Sequence, residues 1–368
     1  MKVRGLQLIN YRNYKELELS LSDTINIFLG QNAQGKTNIV EAVYYAAVGH
    51  SYRTNQEADL IQWDAPGGSV KLLFERLGVE NVLEFTFSRE KRRRILYNSQ
   101  PIRLKELIGA MNAVLFSPED LFLIKGAPAG RRRFLDIEIS QASPSYYHEL
   151  ASYNRLLLQR NTLLKRIRER SAKASMLEMW DGQLAASAAR IVTKRLEAVK
   201  KLNMLANLMQ RRISGNEENL TVAYEQSGAA GETVTDDIVS WYNKKIEESV
   251  ENDIWRGSTS VGPHRDDLML EVNGIELKAF GSQGQQRTGV LALKLSELEF
   301  IRSETGEYPV LLLDDVMSEL DAGRREQLLQ FIRREHIQTI ITATDEAYFP
   351  AQRIGRYYRV NAGHITAG

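Results

Sequence analysis

The feature that most constrains this chain is the octet Gly30-Gln31-Asn32-Ala33-Gln34-Gly35-Lys36-Thr37, set between two segments of different periodicity. The apolar run Ile25, Ile27, Phe28, Leu29 before it reads as a buried strand; Ile39, Val40, Ala42, Val43 and Ala46 after it recur at helical spacing. Glycine, four residues, glycine, lysine and threonine between strand and helix form a phosphate-binding loop. The glycines let successive N–H groups turn inward on phosphate oxygens, and the helix behind adds its dipole and unpaired N–H groups. Lys36 is expected at the outer phosphates and the Thr37 hydroxyl on magnesium. A nucleoside triphosphate is the predicted ligand of Gly30–Thr37.

A loop of this kind needs a carboxylate for its metal, at the end of another buried strand. Val310-Leu311-Leu312-Leu313-Asp314-Asp315 supplies one: Asp314 to hold magnesium, Asp315 to orient and polarise the attacking water. Asp314 follows Lys36 by 278 residues, so the nucleotide core is expected to be split in sequence, with other structure inserted between its halves.

The intervening chain divides by pattern. Val70–Phe74, Val82–Phe87 and Ile95–Tyr97 predict an antiparallel sheet, with turns at Leu77-Gly78 and Asn98-Ser99-Gln100-Pro101. The run Lys91-Arg92-Arg93-Arg94 is placed at a hairpin end, as a solvated tip or a nucleic-acid contact. Arg53 is either a phosphate contact or a solvated loop residue. Residues 146–170 and 176–213 carry long helical patterns and predict two antiparallel helices forming an arm. Residues 155–212 hold fourteen Lys/Arg against Glu169, Glu178, Asp181 and Glu197; residues 213–253 carry a balance of −8. With a formal net charge of only +1, any nucleic-acid surface must be local. The arm is therefore either a self-paired solvated face or a phosphate-tracking surface. Beyond it, Leu268–Val272, Asn273-Gly274 and Ile275–Leu277 predict a hairpin, with His264 ahead of it as a structural or surface residue. A helix is predicted from about Arg287 to Arg302, another after Ser318–Asp321, and a strand over Ile337–Ile341.

The absence of cysteine excludes disulfides, thiolate zinc sites and a cysteine nucleophile. No apolar run reaches membrane-spanning length and the N-terminus reads as a strand, so the expectation is a soluble, cytoplasmic protein.

Taken together, the motifs resemble a known family. Gly30–Thr37 with Asn38 and Glu41 is similar to the ATPase heads of the SMC-like branch of ABC ATPases. Ser282-Gln283-Gly284-Gln285-Gln286 resembles the ABC signature, and Asp314-Asp315 with Ser318–Asp321 resembles the metal-binding strand end and D-loop. Pro118-Glu119-Asp120, Gly126-Ala127-Pro128, Arg131-Arg132-Arg133-Phe134-Leu135-Asp136 and Gly262–Asp267 narrow the resemblance to the RecF family.

It implies an α/β ABC-type ATPase head, a phosphate-loop mixed sheet plus an antiparallel β subdomain. Residues 1–120 and 255–368 form the head; residues 121–254 form an inserted, mainly helical arm. It implies ATP and Mg2+ as ligands: ATP on Gly30, Gln31, Asn32, Ala33, Gln34, Gly35, Lys36, Thr37 and Asn38, and magnesium on Thr37 and Asp314. Lys36 and Asp315 are the catalytic residues, and Ser282, Gln283, Gly284 and Gln285 cap the nucleotide from the other subunit of an ATP-dependent homodimer. Duplex DNA beside single-stranded gaps is the implied partner, with RecR and the RecA pathway; Arg131, Arg132, Lys165 and Arg166 are candidate DNA contacts.

Two departures stand out. Asp315 replaces the glutamate of many ABC ATPases, which leaves the base open and implies slow hydrolysis. Thr344-Asp345 stands where a switch histidine is expected. The competing readings are a transport ATPase subunit, a DNA-cleaving relative and a structural SMC-type clamp; the basic insertion, the twenty-odd residues left after Asp345 and the shortness of the arm argue against them in turn.

Overall fold

A computed structural model describes residues 1–229 and 234–368. The chain forms two compact units, Met1–Asp120 with Lys294–Gly368, and Leu121–Leu293.

The first unit is built on two six-stranded sheets. In one, Ala113–Phe116, Val310–Asp314, Thr339–Ala343, Ile25–Leu29 and Arg356–Asn361 run parallel in that order, and His364–Ala367 closes the edge antiparallel. All residues of Ile25–Leu29, Val310–Asp314 and Thr339–Ala343 are buried, as a parallel sheet covered on both faces demands. Helix Lys36–Val48 packs against this sheet and is buried nearly all round, Glu41 included. The other sheet is the expected antiparallel one, ordered Tyr14–Ser20, Lys2–Tyr11, Gly67–Arg76, Val79–Ser88, Arg94–Tyr97 and Gln100–Pro101. Its tight turns fall at Leu77-Gly78 and Asn98-Ser99, where both residues of each pair have positive φ, the geometry that matches strand twist in a two-residue hairpin.

In the second unit, helices Pro144–Arg168, Glu178–Ile213 and Ile238–Arg256 pack on one another, with Pro128–Ala142 alongside. The first two are the expected antiparallel pair. A three-stranded antiparallel sheet joins them, with Asp267–Val272 central between Ile275–Glu276 and Leu220–Glu225. This sheet moves the expected boundary between residues 254 and 255. Asp267–Val272 pairs strand to strand with Leu220–Glu225, so residues 255–293 go with the insertion, and the chain divides at Leu293/Lys294, inside helix Gln283–Thr305.

The inserted unit also hides charge. Arg160 and Arg195 are its largest fully buried side chains. Arg160 pairs with Asp181 and Asp253 at 2.6 and 2.7 Å, and Arg195 pairs with Asp136 at 2.8 Å. A buried guanidinium persists only when paired and hydrogen-bonded; both are paired, Arg195 through all three nitrogens and Arg160 through Nε and Nη1, with its Nη2 buried and unpartnered. Two of the fourteen cations counted toward a basic surface are therefore internal ties.

Candidate nucleotide site

The phosphate loop begins where the central strand ends. Gly35 has φ +109°, and a Cβ there would lie 2.5 Å from Asn13 Nδ2; a Cβ on Gly30 would lie 2.4 Å from the Val360 carbonyl oxygen. Neither position tolerates a side chain. Gly35 is also the N-cap of helix Lys36–Val48 and offers no side-chain cap, so the first turn retains its anion-binding character. Flanking groups brace the loop: Gln34 Oε1 accepts from the Ala362 N–H at 2.6 Å, and its carbonyl accepts from the Gly363 N–H and Asn13 Nδ2. Tyr14 donates to the Gly35 carbonyl.

Lys36 Nζ donates to the carbonyls of Gly30 and Gln31 at 2.7 and 2.8 Å, curling the loop around its own ammonium. Burial pulls its pKa down, while Asp315 and Asp314 oppose that fall. Asp314 receives three hydroxyls. Thr37 and Thr342 donate to Oδ1 at 3.0 and 2.7 Å, and Tyr52 donates to Oδ2 at 2.8 Å. Thr342 sits on the strand between those carrying Asp314 and the phosphate loop, in register with Asp314 on one side and Phe28 on the other. Its hydroxyl also accepts the Asp315 N–H. Asp315 has left-handed backbone, φ +55°, and its Oδ1 is buried with no hydrogen-bond partner. Burial raises its pKa, Lys36 opposes, and Asp314 and Glu319 push the same way as burial.

These groups fit magnesium. Thr37 and Asp314 bring two hard oxygens together at the loop, and Asp315 adds an unsatisfied one nearby in sequence. Among the described residues no group of three or more His, Cys, Asp or Glu could hold a metal by itself. A metal here would draw on phosphate and water oxygens as well, which is how magnesium is usually held beside a nucleotide.

Around Glu41 lies a cluster that the sequence did not announce. The fully buried carboxylate accepts two bonds from Arg12, at 2.8 and 2.6 Å, one from Ser51 and one from Arg53. Arg53 also donates to Asn38 Oδ1 at 2.8 Å. It is thus neither a free loop arginine nor remote from the loop, but tied to the first turn of the helix behind it. Arg12, Ser51 and Tyr52 carried no signal of their own in the sequence.

In the second unit the signature residues start helix Gln283–Thr305. Ser282 Oγ accepts the Gln285 N–H and Gln285 Oε1 accepts the Ser282 N–H, both at 3.1 Å, a reciprocal capping box. The helix begins four residues earlier than expected because of that cap.

The candidate DNA contacts separate. Arg131, expected at phosphate, is 4% exposed and forms a bidentate pair with Asp267, both bonds 2.7 Å, while also donating to the Leu123 and Gly126 carbonyls. It is an internal tie between helix and sheet, since three successive arginines on a helix point in three directions and one faces inward. Arg132 is half-buried and donates to the Asp266 carbonyl; Lys165 and Arg166 are exposed. Of the two readings of His264 the structural one fits: Tyr153 shares Nδ1 at 2.6 Å, the Thr259 carbonyl lies 3.1 Å from Nε2, and burial lowers its pKa to about 4.

Residues 2–366 match the family described as RecF/RecN/SMC N terminal domain. The chain is 43% identical over 346 residues to the DNA replication and repair protein RecF of Alkaliphilus oremlandii, covering 94% of this chain and 93% of that one. It is 41% identical over 372 residues to RecF of Heliobacterium modesticaldum, covering 100% and 99%. A solved structure titled as the recombination mediator protein RecF-ATP in the RecFOR pathway superposes with a TM-score of 0.92 at 34% identity, covering 100% of this chain and 97% of that one. The Smc head domain of Pyrococcus furiosus, at 15% identity and a TM-score of 0.57, shares the fold. The chain belongs to the RecF family of ABC-type ATPases, within the RecF/RecN/SMC group.

Proposed function

We propose that the chain is an ATP-driven DNA repair factor. It binds ATP on Gly30–Asn38 and closes as a homodimer around it. In that state it holds duplex DNA beside a single-stranded gap, working in the cytoplasm with RecR to help load RecA. The observation that supports this reading most is the approach of the Thr37 hydroxyl to Asp314, the two residues that would hold magnesium beside the loop. Relatives named as DNA replication and repair proteins, and a similar structure titled RecF-ATP, support the assignment to repair.

Each residue has a defined task. Lys36 presents its ammonium to the outer phosphates in exchange for the two loop carbonyls. Thr37 and Asp314 would hold magnesium, which supplies charge neutralisation at those phosphates. Asp315, its pKa raised by burial, takes the proton of the attacking water as the water oxygen bonds to the outer phosphorus and ADP departs. A single half-buried carboxylate as base, shorter than the usual glutamate, fits slow, DNA-stimulated turnover. Ser282, Gln283, Gly284 and Gln285 of the second subunit meet the outer phosphate through a capped helix N-terminus, so loss of that phosphate opens the dimer. Sedimentation with ATP, ADP or neither, with and without gapped duplex, tests the cycle. A dimer with ATP alone, and DNA retained by it, is expected. A sedimentation coefficient and DNA affinity indifferent to nucleotide would overturn it.

A further inference from the structure

Trp63 is 91% exposed, the most exposed large apolar side chain among the described residues. It does not sit on a loose loop. The Gln62 N–H donates to the Asn10 carbonyl at 2.8 Å, and the Ala65 N–H closes a turn onto the Gln62 carbonyl at 3.1 Å. Arg89 then gathers the rest. Its N–H donates to the Pro66 carbonyl, Nε to Ala65, and Nη2 to both Trp63 and Gln62, at 3.0 to 3.2 Å. One residue thus holds four of the loop's carbonyls, and the indole is displayed from a braced turn.

Arg89 opens the segment that carries the basic run. Ser88 Oγ accepts the N–H groups of Glu90 and Lys91, and Arg93 is anchored inward on Tyr45, the Gly49 carbonyl and Glu57. Between and beyond these two anchors, Lys91, Arg92 and Arg94 remain exposed. The bonds that Arg89 makes to the loop all end on neutral carbonyls, so none of these acceptors cancels its positive charge. Exposed Asp64 and Glu90 lie in the same two segments, but Arg89, Lys91, Arg92 and Arg94 outnumber them, leaving a local positive excess beside an exposed aromatic ring.

We propose that Trp63 and the hairpin end at Arg89–Arg94 form a stacking site for single-stranded nucleic acid. An unpaired base lies on the indole, and the adjoining phosphates lie on Lys91, Arg92 and Arg94. An indole ring offers a face to any base, and cations follow the backbone, so the site is tolerant of sequence. A duplex keeps its bases stacked on one another and gains only the phosphate contacts. The charged surroundings favour this occupant over a protein, whose buried anchors sit in largely uncharged interface centres. The inference rests on the DNA-binding reading above and adds to it a contact selective for the unpaired strand.

The test uses the full chain with ATP and magnesium, a labelled oligothymidine and a blunt duplex of equal length. Trp63→Ala should weaken oligothymidine binding roughly 5- to 150-fold, the range of one aromatic–base stack. Duplex affinity should stay within about twofold, since only phosphate contacts serve there. Trp63→Phe should recover most of the loss, and indole fluorescence of the native chain should be quenched by oligothymidine in a Trp63-dependent way. Equal oligothymidine affinity in native and Trp63→Ala protein would overturn the site while leaving the DNA-binding reading intact. Binding of neither DNA by the native chain would overturn both.

Discussion

Thr37 and Asp314 stand 277 positions apart, and the hydroxyl of the first donates to Oδ1 of the second across 3.0 Å. Thr342 and Tyr52 complete a set of three hydroxyls on one carboxylate. Asp314→Asn replaces an acceptor by an amide with two donors, so at least one hydroxyl loses its partner and the metal loses its charge. Magnesium-dependent phosphate release should fall to background while nucleotide binding in chelator persists. Normal turnover in this variant would place the metal carboxylate elsewhere.

Lys36→Ala should abolish tight ATP binding, because it deletes the mobile cation at the outer phosphates and leaves the Gly30 and Gln31 carbonyls facing one another. Lys36→Arg should bind but turn over poorly, since a planar guanidinium cannot occupy the place of a compact ammonium within the curl of the loop. Filter binding with labelled ATP decides. Unchanged affinity in the alanine variant means that the loop is not the site.

Arg131→Ala should act on stability and not on DNA. Breaking a buried ion pair leaves Asp267 uncompensated and typically costs about 3–5 kcal/mol. The melting temperature should drop, and the salt dependence of DNA binding should keep its slope. Lys165→Ala and Arg166→Ala should leave the melt alone; each reduces the slope of log K against log[salt] by about 1 where the side chain neutralises a phosphate. An Arg131→Ala protein with native stability and a shallower slope would restore it to the DNA surface.

Asp266 and His264 pull the pH profile in opposite directions. Burial raises Asp266 from 3.8 to about 6, against hydrogen bonds from Tyr224 and Ser227, so the folded state keeps a proton that the unfolded chain has released. Its contribution is full at low pH and is lost as pH rises toward 6. His264, lowered from 6.5 to about 4, gives the reverse: its contribution is present above 6.5 and is lost as pH falls toward 4. The two slopes nearly cancel between those limits in the native chain. Relative to it, His264→Gln should lose stability as pH rises from 4 to 6, and Asp266→Asn should gain it. Denaturant midpoints at several pH values measure both, and parallel profiles for all three proteins would refute the assignment.

Ser282→Arg should leave ATP binding by the single subunit nearly intact and block ATP-driven dimerisation. The substitution removes a capping hydroxyl, at a cost of about 1 kcal/mol, and places a long side chain on a face that must meet a triphosphate. Overpacking a closed interface costs roughly 1–3 kcal/mol, and a dimer carries the fault twice. Mixing Ser282→Arg with Lys36→Ala protein yields dimers with one doubly faulted site and one intact site, so some turnover should return. Full activity of Ser282→Arg as a monomer would exclude a shared site.

The nucleotide core was legible because its signals are local: spacing in Gly30–Thr37, an apolar strand ending in Asp314, turn residues at Asn98-Ser99 and Asn273-Gly274. Misreadings came where meaning depends on distant partners. The triple arginine at 131–133 looks like one surface but is three environments, and only Asp267, 136 residues on, shows which member turns inward. Arg160 and Arg195 counted as surface charge for the same reason. The boundary expected at residue 254 failed because strand pairing between Asp267–Val272 and Leu220–Glu225 leaves no mark on composition. Tyr52 and Arg12 reach Asp314 and Glu41 from loops whose sequences are unremarkable, so only the folded chain identifies them as parts of the site.

Both neighbours of strand Ile25–Leu29 come from the far end of the chain, Thr339–Ala343 on one side and Arg356–Asn361 on the other. During translation the phosphate loop therefore leaves the ribosome long before the two strands that flank its own. The inserted unit, contiguous from Leu121 to Leu293, has all its residues available well before then. Contacts of such long sequence separation form late because loop closure must precede them. A nascent chain thus carries the nucleotide motif without the sheet that shapes it, and the phosphate loop gains its frame only once Thr339–Ala343 and Arg356–Asn361 have emerged.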